Sequence, residues 1–214
     1  DGNIAYHVND EKSSVDKNRF YLSKKHNFDI KKLRYMNQVH GTNIEIVNHT
    51  SSLLIDNCDA LITNEIDLPI MVMVADCIPI FISDEKKGVI AVVHAGRNST
   101  FLNIAKNTVL KMIDEFNCDV KDIYVYLGPS IQKCCYEVSS ELENVVINSY
   151  GKEFTQNRYI DLQAINKQQL LELGVTNIEI SDVCTKCSNE AYYSYRKDKN
   201  CGRFSIIGII ESKK

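Results

Sequence analysis

The stretch "LPIMVMVADCIPIFISDEKKGVIAVVHA", residues 68–95, contains three apolar runs separated by short polar segments. Runs of Ile and Val bounded by Asp, Gly or Pro are typical of β-strands. Strands are therefore predicted at 68–76, 78–84 and 88–95. Consecutive strands without intervening helices do not fit a doubly wound parallel sheet, in which strands and helices alternate. This stretch therefore favours an α+β fold with layered sheets and helices.

The rest of the chain adds strands and helices to this centre. The same signals predict four more strands, at 43–48, 122–129, 177–183 and 204–210. Apolar residues that recur near a 3.6-residue period predict helices at 100–117, 139–150 and 161–174. Ser99 or Thr100 is expected to cap the first helix, and Gly174 to end the last. Since no linker or repeat interrupts the pattern, one domain is expected over residues 1–214.

Composition and charge exclude several classes of function. The 214 residues are 44% hydrophobic and 25% charged, which is enough for one sizeable core. The net charge is −3, and lysines alternate with acidic residues, so the basic surface that nucleic-acid binding requires is missing. No apolar run approaches the ~20 residues that span a bilayer, and no secretory leader opens the sequence. We expect a soluble, cytoplasmic protein without nucleic-acid or membrane partners.

Eight cysteines raise the question of disulfides or metal. Disulfide frameworks are typical of short secreted chains, so reduced thiols are expected here. Cys184 and Cys187 form a CxxC motif, and the neighbours Cys134 and Cys135 would complete four thiolates, as in a structural zinc ribbon. Adjacent cysteines are unfavourable ligands for one tetrahedral ion and a second CxxC is missing, so this site is disfavoured. A thioredoxin-like redox role for the CxxC motif is disfavoured too, because the early β-strand and α-helix that accompany such a motif are not predicted around it.

Three side chains of metal-ligand type stand at the ends of predicted strands. His40 precedes a turn in "NQVHGTN", Cys77 lies between two strands, and His94 ends a third. Two imidazoles and one thiolate that meet at one edge would form a three-ligand zinc site with an open fourth position. The structural alternative makes Cys77 a small buried residue and each histidine a hydrogen-bonded residue at the edge of a sheet.

Several sequence blocks together resemble one family. They are "DGNIAYHVND", "YMNQVHGTNIEIV", "CDALITN", "VADCIPIFI", "VVHAG", "LGPSIQKCCYEV", "DLQAINKQQLLELGV" and "CTKCSNEAYYSYRKDKNCGRFSIIGII". In order and spacing they are similar to the YfiH/DUF152 family, also described as polyphenol oxidase (laccase-domain) proteins, purine nucleoside phosphorylases or peptidoglycan editing factors. The resemblance implies a four-layer α/β/β/α fold, shared with a toxin deamidase domain that uses a Cys-His pair.

The resemblance also implies a cofactor and a reaction. Zinc would be held by His40, Cys77 and His94, with copper as an alternative metal at the same site. Purine nucleosides and phosphate would be the partners, with phosphorolysis of adenosine, inosine and methylthioadenosine and a further adenosine deaminase activity. The deaminase motif H-x-E is not present, because Ala95 and Gly96 follow His94.

Phosphorolysis requires cations for phosphate and an acid for the leaving purine. Arg196 and Cys77 are expected to act in catalysis, together with Asp59 and Asp76 as orienting groups or as the acid. The residues expected to bind substrate are Gln38, Arg19, Arg97 and Arg203. The structural alternative makes the arginines surface charges and the aspartates turn or strand-end residues.

Two departures from the family pattern concern these roles. The family continues "HAG" with Trp, then Arg or Lys, then Gly, whereas this chain has Arg97, Asn98 and Ser99. The cation is therefore shifted by one position, which changes the direction of its side chain. The family's "TTR…GG.S" segment is missing from the sequence, so an N-terminal segment of the pattern is expected to be lacking.

Three other functions use the same residues. A His₂Cys set also serves blue-copper centres, but a multicopper oxidase needs more histidines than the five of this chain, at 7, 26, 40, 49 and 94. Copper-dependent polyphenol oxidation is therefore an alternative without the usual copper cluster. A metal-free thiol hydrolase would use Cys77 with His94. A zinc-stabilised cell-wall quality-control factor would use neither residue for catalysis.

Overall fold

The computed structural model describes residues 2–212. Its helices and strands follow in chain order. The helices are α1 (Lys12–Lys25), α2 (Arg97–Phe101), α3 (Ile104–Phe116), α4 (Ser140–Ser149) and α5 (Leu162–Leu173). The strands are β1 (Arg34–Met36), β2 (Ile44–Ile46), β3 (Leu54–Ile55), β4 (Ala60–Thr63), β5 (Ile70–Val74), β6 (Ile78–Asp84), β7 (Val89–Ala95), β8 (Ile123–Leu127), β9 (Thr155–Gln156), β10 (Tyr159–Ile160), β11 (Asn177–Ile180) and β12 (Phe204–Gly208). None of the helices formed by residues 2–212 is long and apolar enough to cross a membrane.

Two sheets form the centre of the fold. The six-stranded sheet has the order β11-β8-β6-β7-β4-β2, and the four-stranded sheet has the order β12-β5-β1-β3. Strands β6 and β7 form the expected antiparallel pair, with Ile78 opposite Ala95 and Asp84 opposite Val89. Strand β5, which precedes β6 in the same apolar stretch, belongs to the other sheet. The chain therefore passes from one sheet to the other at Asp76 and Cys77.

Three apolar clusters separate four layers. The first joins the outer face of the six-stranded sheet to α3, α4 and α5, and includes Val93 and Val109. The second lies between the two sheets, where Val92 meets Val72. The third covers the far face of the four-stranded sheet, where Met71 packs near Leu22 of α1. The order is helix, sheet, sheet, helix, which confirms the expected α/β/β/α arrangement.

The helices agree with the expectations at α4 and α5. Ser139 caps α4 by accepting a hydrogen bond from the Leu142 N–H at 3.3 Å. Asp161 caps α5 by accepting one from the Ala164 N–H at 2.8 Å. Gly174 follows α5 with φ of +97°, a left-handed conformation that glycine adopts without strain.

The helix predicted over 100–117 is wrong in its N-terminal part. Asn103 has φ of +60° and divides the segment into α2 and α3. Ser99 and Thr100 lie inside α2 and cap neither helix. Asparagine tolerates the left-handed conformation better than most residues, so a break at this position costs little.

Helix α1 has no counterpart among the predicted helices. Its buried residues are Val15, Arg19 and Ser23, which are spaced four apart and share one face. Because two of the three are polar, this face gives almost no hydrophobic periodicity. The short strands β1, β3, β4, β9 and β10 are not predicted either.

Candidate functional site

His40, Cys77 and His94 come together in the structure. Their ligand atoms all lie within 4.8 Å of one another, and the Cys77 Sγ is 3.8 Å from His40 Nε2. The antiparallel pairing of β6 and β7 sets Pro79 opposite His94, which places Cys77 beside the end of β7. His40 lies in the loop after β1 with φ of +59°, a conformation that is uncommon for residues other than glycine but that histidine adopts more often than most.

Asp59 connects two of these three residues. It is fully buried immediately before β4, and its Oδ1 lies 2.8 Å from His94 Nδ1. The same carboxylate accepts hydrogen bonds from the backbone N–H groups of His40 at 2.9 Å and Gly41 at 2.7 Å. With Nδ1 as the donor to a carboxylate, Nε2 is the His94 nitrogen left for a metal. Asp59 thus fixes the orientation of the His94 ring and the position of the loop that contains His40.

The pKa values within this group are strongly shifted. Burial by itself raises the pKa of Cys77, but the charge of His94 and hydrogen bonds with His40 and His94 lower it to about 6. Burial lowers the pKa of His94, whereas the Cys77 thiolate and the Asp59 hydrogen bond raise it to about 9. Burial also opposes ionisation of Asp59, yet hydrogen bonds from His94 and Gly41 lower its pKa. In the absence of metal, these shifts favour a Cys77 thiolate beside a His94 imidazolium.

Gly96 allows the close approach of these side chains. A Cβ added at this position would lie 2.9 Å from His40 Cδ2 and 3.1 Å from Cys77 Sγ. Both distances are shorter than ordinary carbon–carbon and carbon–sulfur contacts. Gly96, the glycine of "HAG", is therefore required because there is no room for a Cβ atom. Its φ of −76° is accessible to other residues and does not itself require glycine.

The three side chains open into a cavity of about 560 Å³. Three arginines share its lining, and aromatic rings and amides make up much of the rest. The lining includes Arg97, Arg196, Arg203, His7, Asn37, Gln38, Asp76, Asn98, Tyr136 and Tyr195. Three cations beside an apolar and aromatic surface suit a ligand that carries both an anion and a flat ring.

Arg196 is positioned by its neighbours on the cavity wall. Its guanidinium carbon lies 4.9 Å from the centre of the Tyr136 ring, and Nη1 donates to the Glu137 carbonyl at 2.9 Å. Its backbone N–H donates to Asp76 Oδ2 at 2.7 Å. A guanidinium has five N–H donors, so further donors remain for an anion.

Arg97 and Arg203 also reach the cavity. Arg97 begins α2, and its Nε donates to Asn98 Oδ1 at 3.2 Å. Arg203 Nη1 donates to the carbonyls of Cys201 at 2.8 Å and Gly202 at 3.0 Å. The shift of the cation to position 97 therefore does not remove it from this site.

Asp76 and Gln38 line the cavity and also hold its wall together. Asp76 Oδ1 accepts a hydrogen bond of 2.7 Å from the Thr185 hydroxyl, and its φ is +86°. The Gln38 amide pairs with the backbone of Met73 in both directions, at 2.8 and 2.9 Å. Both residues thus fix the segment that joins β5 to Cys77.

Arg19 is not brought to this site. It is 5% exposed, its Nε donates to the Ile4 carbonyl at 2.7 Å, and its guanidinium carbon lies 4.2 Å from the ring centres of both Tyr6 and Tyr35. Arg19 is absent from the residues that line the cavity. The structure therefore gives it a packing role under α1, in place of the expected contact with substrate.

Comparisons with known proteins decide the family. A family model described as multi-copper polyphenol oxidoreductase laccase matches residues 1–211. The chain belongs to this laccase-like family. The chain is 36% identical over 187 residues to a purine nucleoside phosphorylase of Clostridium acetobutylicum, covering 84% of this chain and 78% of the relative. It is 31% identical over 213 residues to a purine nucleoside phosphorylase of Mycobacterium bovis, covering 98% of this chain and 84% of the relative.

Solved structures of the laccase-like family agree with the fold. YlmD from Geobacillus stearothermophilus has a TM-score of 0.92 at 27% identity, covering 99% of this chain and 85% of that protein. YfiH from Bacillus licheniformis has a TM-score of 0.91 at 26% identity, covering 97% of this chain and 85% of that protein. The resemblance to the YfiH/DUF152 family is thereby confirmed.

Several residues that line the cavity were not foreseen for this laccase-like chain. They are His7, Asn37, Asn98, Tyr136 and Tyr195. His7 and Tyr136 lie in sequence blocks that resemble the family, "AYHVND" and "CCYEV", so the signal was present there. Burial and the cations Arg203 and Arg19 lower the pKa of His7, which favours a neutral ring.

Proposed function

We propose that this chain is a zinc-dependent purine nucleoside phosphorylase that acts on adenosine, inosine and methylthioadenosine. The observation that carries the proposal is the set of His40, Cys77 and His94 opening into a cavity that also contains three arginines. The relatives from C. acetobutylicum and M. bovis are named purine nucleoside phosphorylases, which supports the same substrate class.

The donor set fits zinc. Two imidazoles and one thiolate are ligands that zinc accepts at catalytic sites, with a fourth position open to solvent or substrate. The hydrogen bond from His94 to Asp59 is the outer contact that metal-bound histidines commonly make. When bound, zinc would supply a Lewis acid beside the phosphate or the nucleoside. Copper binds similar nitrogen and sulfur sites and is the alternative metal.

The chain's own residues account for binding and orientation. In phosphorolysis a phosphate oxygen bonds to C1′ of the ribose, the C1′–N9 bond breaks, and the leaving purine takes up a proton. Arg196, Arg97 and Arg203 would bind the phosphate, since guanidinium groups form bidentate contacts with its oxygens. The rings of Tyr136 and Tyr195 offer flat surfaces for the purine.

The two aspartates have different places in this scheme. Asp59 is buried beneath the ligands and has a lowered pKa, so it acts as a positioning residue and not as the acid. Asp76 is the carboxyl group that lines the cavity, and of the two it is the one within reach of a bound ligand.

A second candidate is a thiol hydrolase. In such an enzyme Cys77 would be the nucleophile, His94 the base, and Asp59 the carboxylate that orients the His94 ring. Activated thiols commonly have this arrangement. In that case Cys77 would form a covalent intermediate and metal would inhibit. Adenosine deamination and copper-dependent oxidation of phenols would use the same cavity. Both activities are assayed together with phosphorolysis.

The test is product analysis across a phosphate series. Wild-type protein should release hypoxanthine from inosine only when phosphate is present, with ribose 1-phosphate as the second product. Arg196→Ala should raise the phosphate requirement about ten- to a hundredfold, because a charge-assisted contact contributes ~1.5 to 3 kcal/mol. Arg158→Ala is the matched control, since Arg158 pairs with Glu137 outside the cavity lining.

Other outcomes would reassign the activity. Phosphate-independent release of hypoxanthine would indicate a nucleosidase, and conversion of adenosine to inosine would indicate the deaminase. Oxygen uptake with a phenol in copper-loaded protein would favour the oxidase. No turnover of any nucleoside would leave the zinc-stabilised quality-control factor as the better hypothesis.

A further inference from the structure

Four cysteine sulfurs converge at a place distinct from the His40, Cys77 and His94 site. Cys134 and Cys135 come from one segment, and Cys184 and Cys187 from another, with all four Sγ atoms within 4.8 Å of one another. All four are free thiols. Adjacent cysteines in an extended segment cannot easily bind one tetrahedral ion. Residues 133–135 form a turn, however, so the two neighbours do not point to opposite sides as they would in a strand.

The spacing of the sulfurs suits a metal better than a disulfide. The Sγ atoms of Cys134 and Cys187 are 3.6 Å apart. A disulfide bond is ~2.05 Å long. Zn–S bonds of ~2.3 Å in a tetrahedron place neighbouring sulfurs ~3.8 Å apart. The observed separation therefore resembles the edge of a tetrahedral thiolate site.

The backbone brings the two segments together independently of the thiols. Ser130 and Cys184 form a β-bridge, and the Thr185 N–H donates to the Ser130 carbonyl at 3.0 Å. The first turn is closed by hydrogen bonds from the N–H groups of Cys135 and Tyr136 to the Gln132 carbonyl, at 2.8 and 2.9 Å. The cysteines are thus held in position before any ion binds.

Backbone amide groups favour a thiolate at Cys184. Backbone N–H groups of Gln132, Lys186 and Cys187 hydrogen-bond to the Cys184 sulfur. Amide donors directed at a sulfur stabilise its ionised form and commonly accompany metal-bound sulfur. Burial raises the pKa values of the Cys134 and Cys135 thiols, so an ion that binds here would have to displace their protons.

We propose that Cys134, Cys135, Cys184 and Cys187 bind a second Zn²⁺ as a structural site with four thiolate ligands. Four protein ligands leave no open position, so this ion has no catalytic role. Thiolates select zinc over calcium or magnesium, which prefer oxygen. Binding releases the thiol protons to solvent. The assignment does not depend on the proposed phosphorolysis.

This ion would stabilise the wall of the cavity. Cys135 is followed directly by Tyr136, which lines the cavity. Cys184 is followed by Thr185, whose hydroxyl donates to Asp76 beside Cys77. Because both ligand segments continue into the cavity wall, the metal would join them behind the substrate site.

The first test is metal content. Protein purified without chelator should contain about two zinc ions per chain, and Cys134→Ser/Cys187→Ser should lose about one of them while keeping the His₂Cys ion. Cys118→Ser is the control, because Cys118 lies outside both groups and a serine hydroxyl can keep the contact with Asp84. Unchanged zinc in the double variant would overturn the proposal.

A second measurement does not require the double variant to fold. Cys77→Ala is expected to empty the His₂Cys site and leaves all four cysteines intact. Zinc X-ray absorption of this variant should show four sulfur neighbours at ~2.3 Å. Nitrogen or oxygen neighbours, iron in place of zinc, or a Cys134–Cys187 disulfide in the purified protein would each contradict a tetrathiolate zinc site.

Discussion

Asp59 Oδ1 lies 2.8 Å from His94 Nδ1, and neither side chain has significant contact with solvent. The same carboxylate holds the backbone of the His40 loop. One buried group therefore positions two of the three candidate metal ligands, although it does not itself line the cavity. Substitutions at Asp59 should act on the metal and only through it on catalysis.

Asp59→Asn should weaken zinc binding at the His₂Cys site about 10- to 100-fold, which is the usual cost of losing the outer partner of a metal-bound histidine. The amide NH₂ would also face backbone N–H groups that need an acceptor. Competition with a chromogenic chelator measures the affinity. Asp56→Asn is the control, because Asp56 lies at the surface and its carboxylate makes a long 3.5 Å contact with the Asn37 amide. Equal affinities in the two variants would rule out this role.

Gly96→Ala should impair the site while the fold is retained. The added methyl group would press on His40 and Cys77 at 2.9 and 3.1 Å, and a displacement of either side chain is expected to lower turnover about 10- to 100-fold. Gly41→Ala is the matched control, since its nearest contacts would be 3.5 Å and its N–H is kept. Turnover and zinc content of both variants are compared at equal thermal stability. A fully active Gly96→Ala would show that the ligands do not need this space.

Alkylation of Cys77 should separate metal catalysis from thiol catalysis. In metal-replete protein iodoacetamide should react slowly, because the sulfur is held by the ion. After chelation the reaction should become fast, with a midpoint near pH 6, because His94 and His40 lower the Cys77 pKa to about 6. The rate falls as pH drops below that value, where the thiol is protonated. Mass spectrometry follows the modified residue, and rapid labelling with parallel loss of turnover in metal-replete protein would favour the hydrolase.

Arg19→Ala should destabilise the fold by about 2 to 4 kcal/mol without changing the phosphate requirement. The substitution would remove one buried charge-assisted hydrogen bond and the cation–π contacts with two tyrosine rings, which together contribute about 2 to 4 kcal/mol. Denaturant unfolding and the phosphate dependence of inosine cleavage are measured together. A changed phosphate requirement in a stable Arg19→Ala protein would restore Arg19 to the substrate site.

The local pattern of the sequence was sufficient for much of the fold. The apolar runs at 78–84 and 88–95 become β6 and β7, and the helices predicted at 139–150 and 161–174 become α4 and α5, the latter ended by Gly174 as expected. These features depend on residues a few positions apart, so they can be read without knowledge of the rest of the chain. The positions of His40, Cys77 and His94 at predicted strand ends indicated the candidate ligands, and the resemblance of the sequence blocks supplied the layer order.

Only the tertiary structure decided how distant residues meet. The apolar stretch gives no sign that β5 and β6 belong to different sheets, because β5 is buried throughout and β6 is buried except for the partly exposed Phe81 and Ser83. Likewise, Arg19 could be assigned to the protein interior only once α1 was seen to cover the four-stranded sheet. The convergence of Cys134 and Cys135 with Cys184 and Cys187 depends on a turn and a β-bridge between segments about 50 residues apart. Periodicity and spacing describe the path of the chain locally, whereas such contacts are fixed by the packing of the layers against one another.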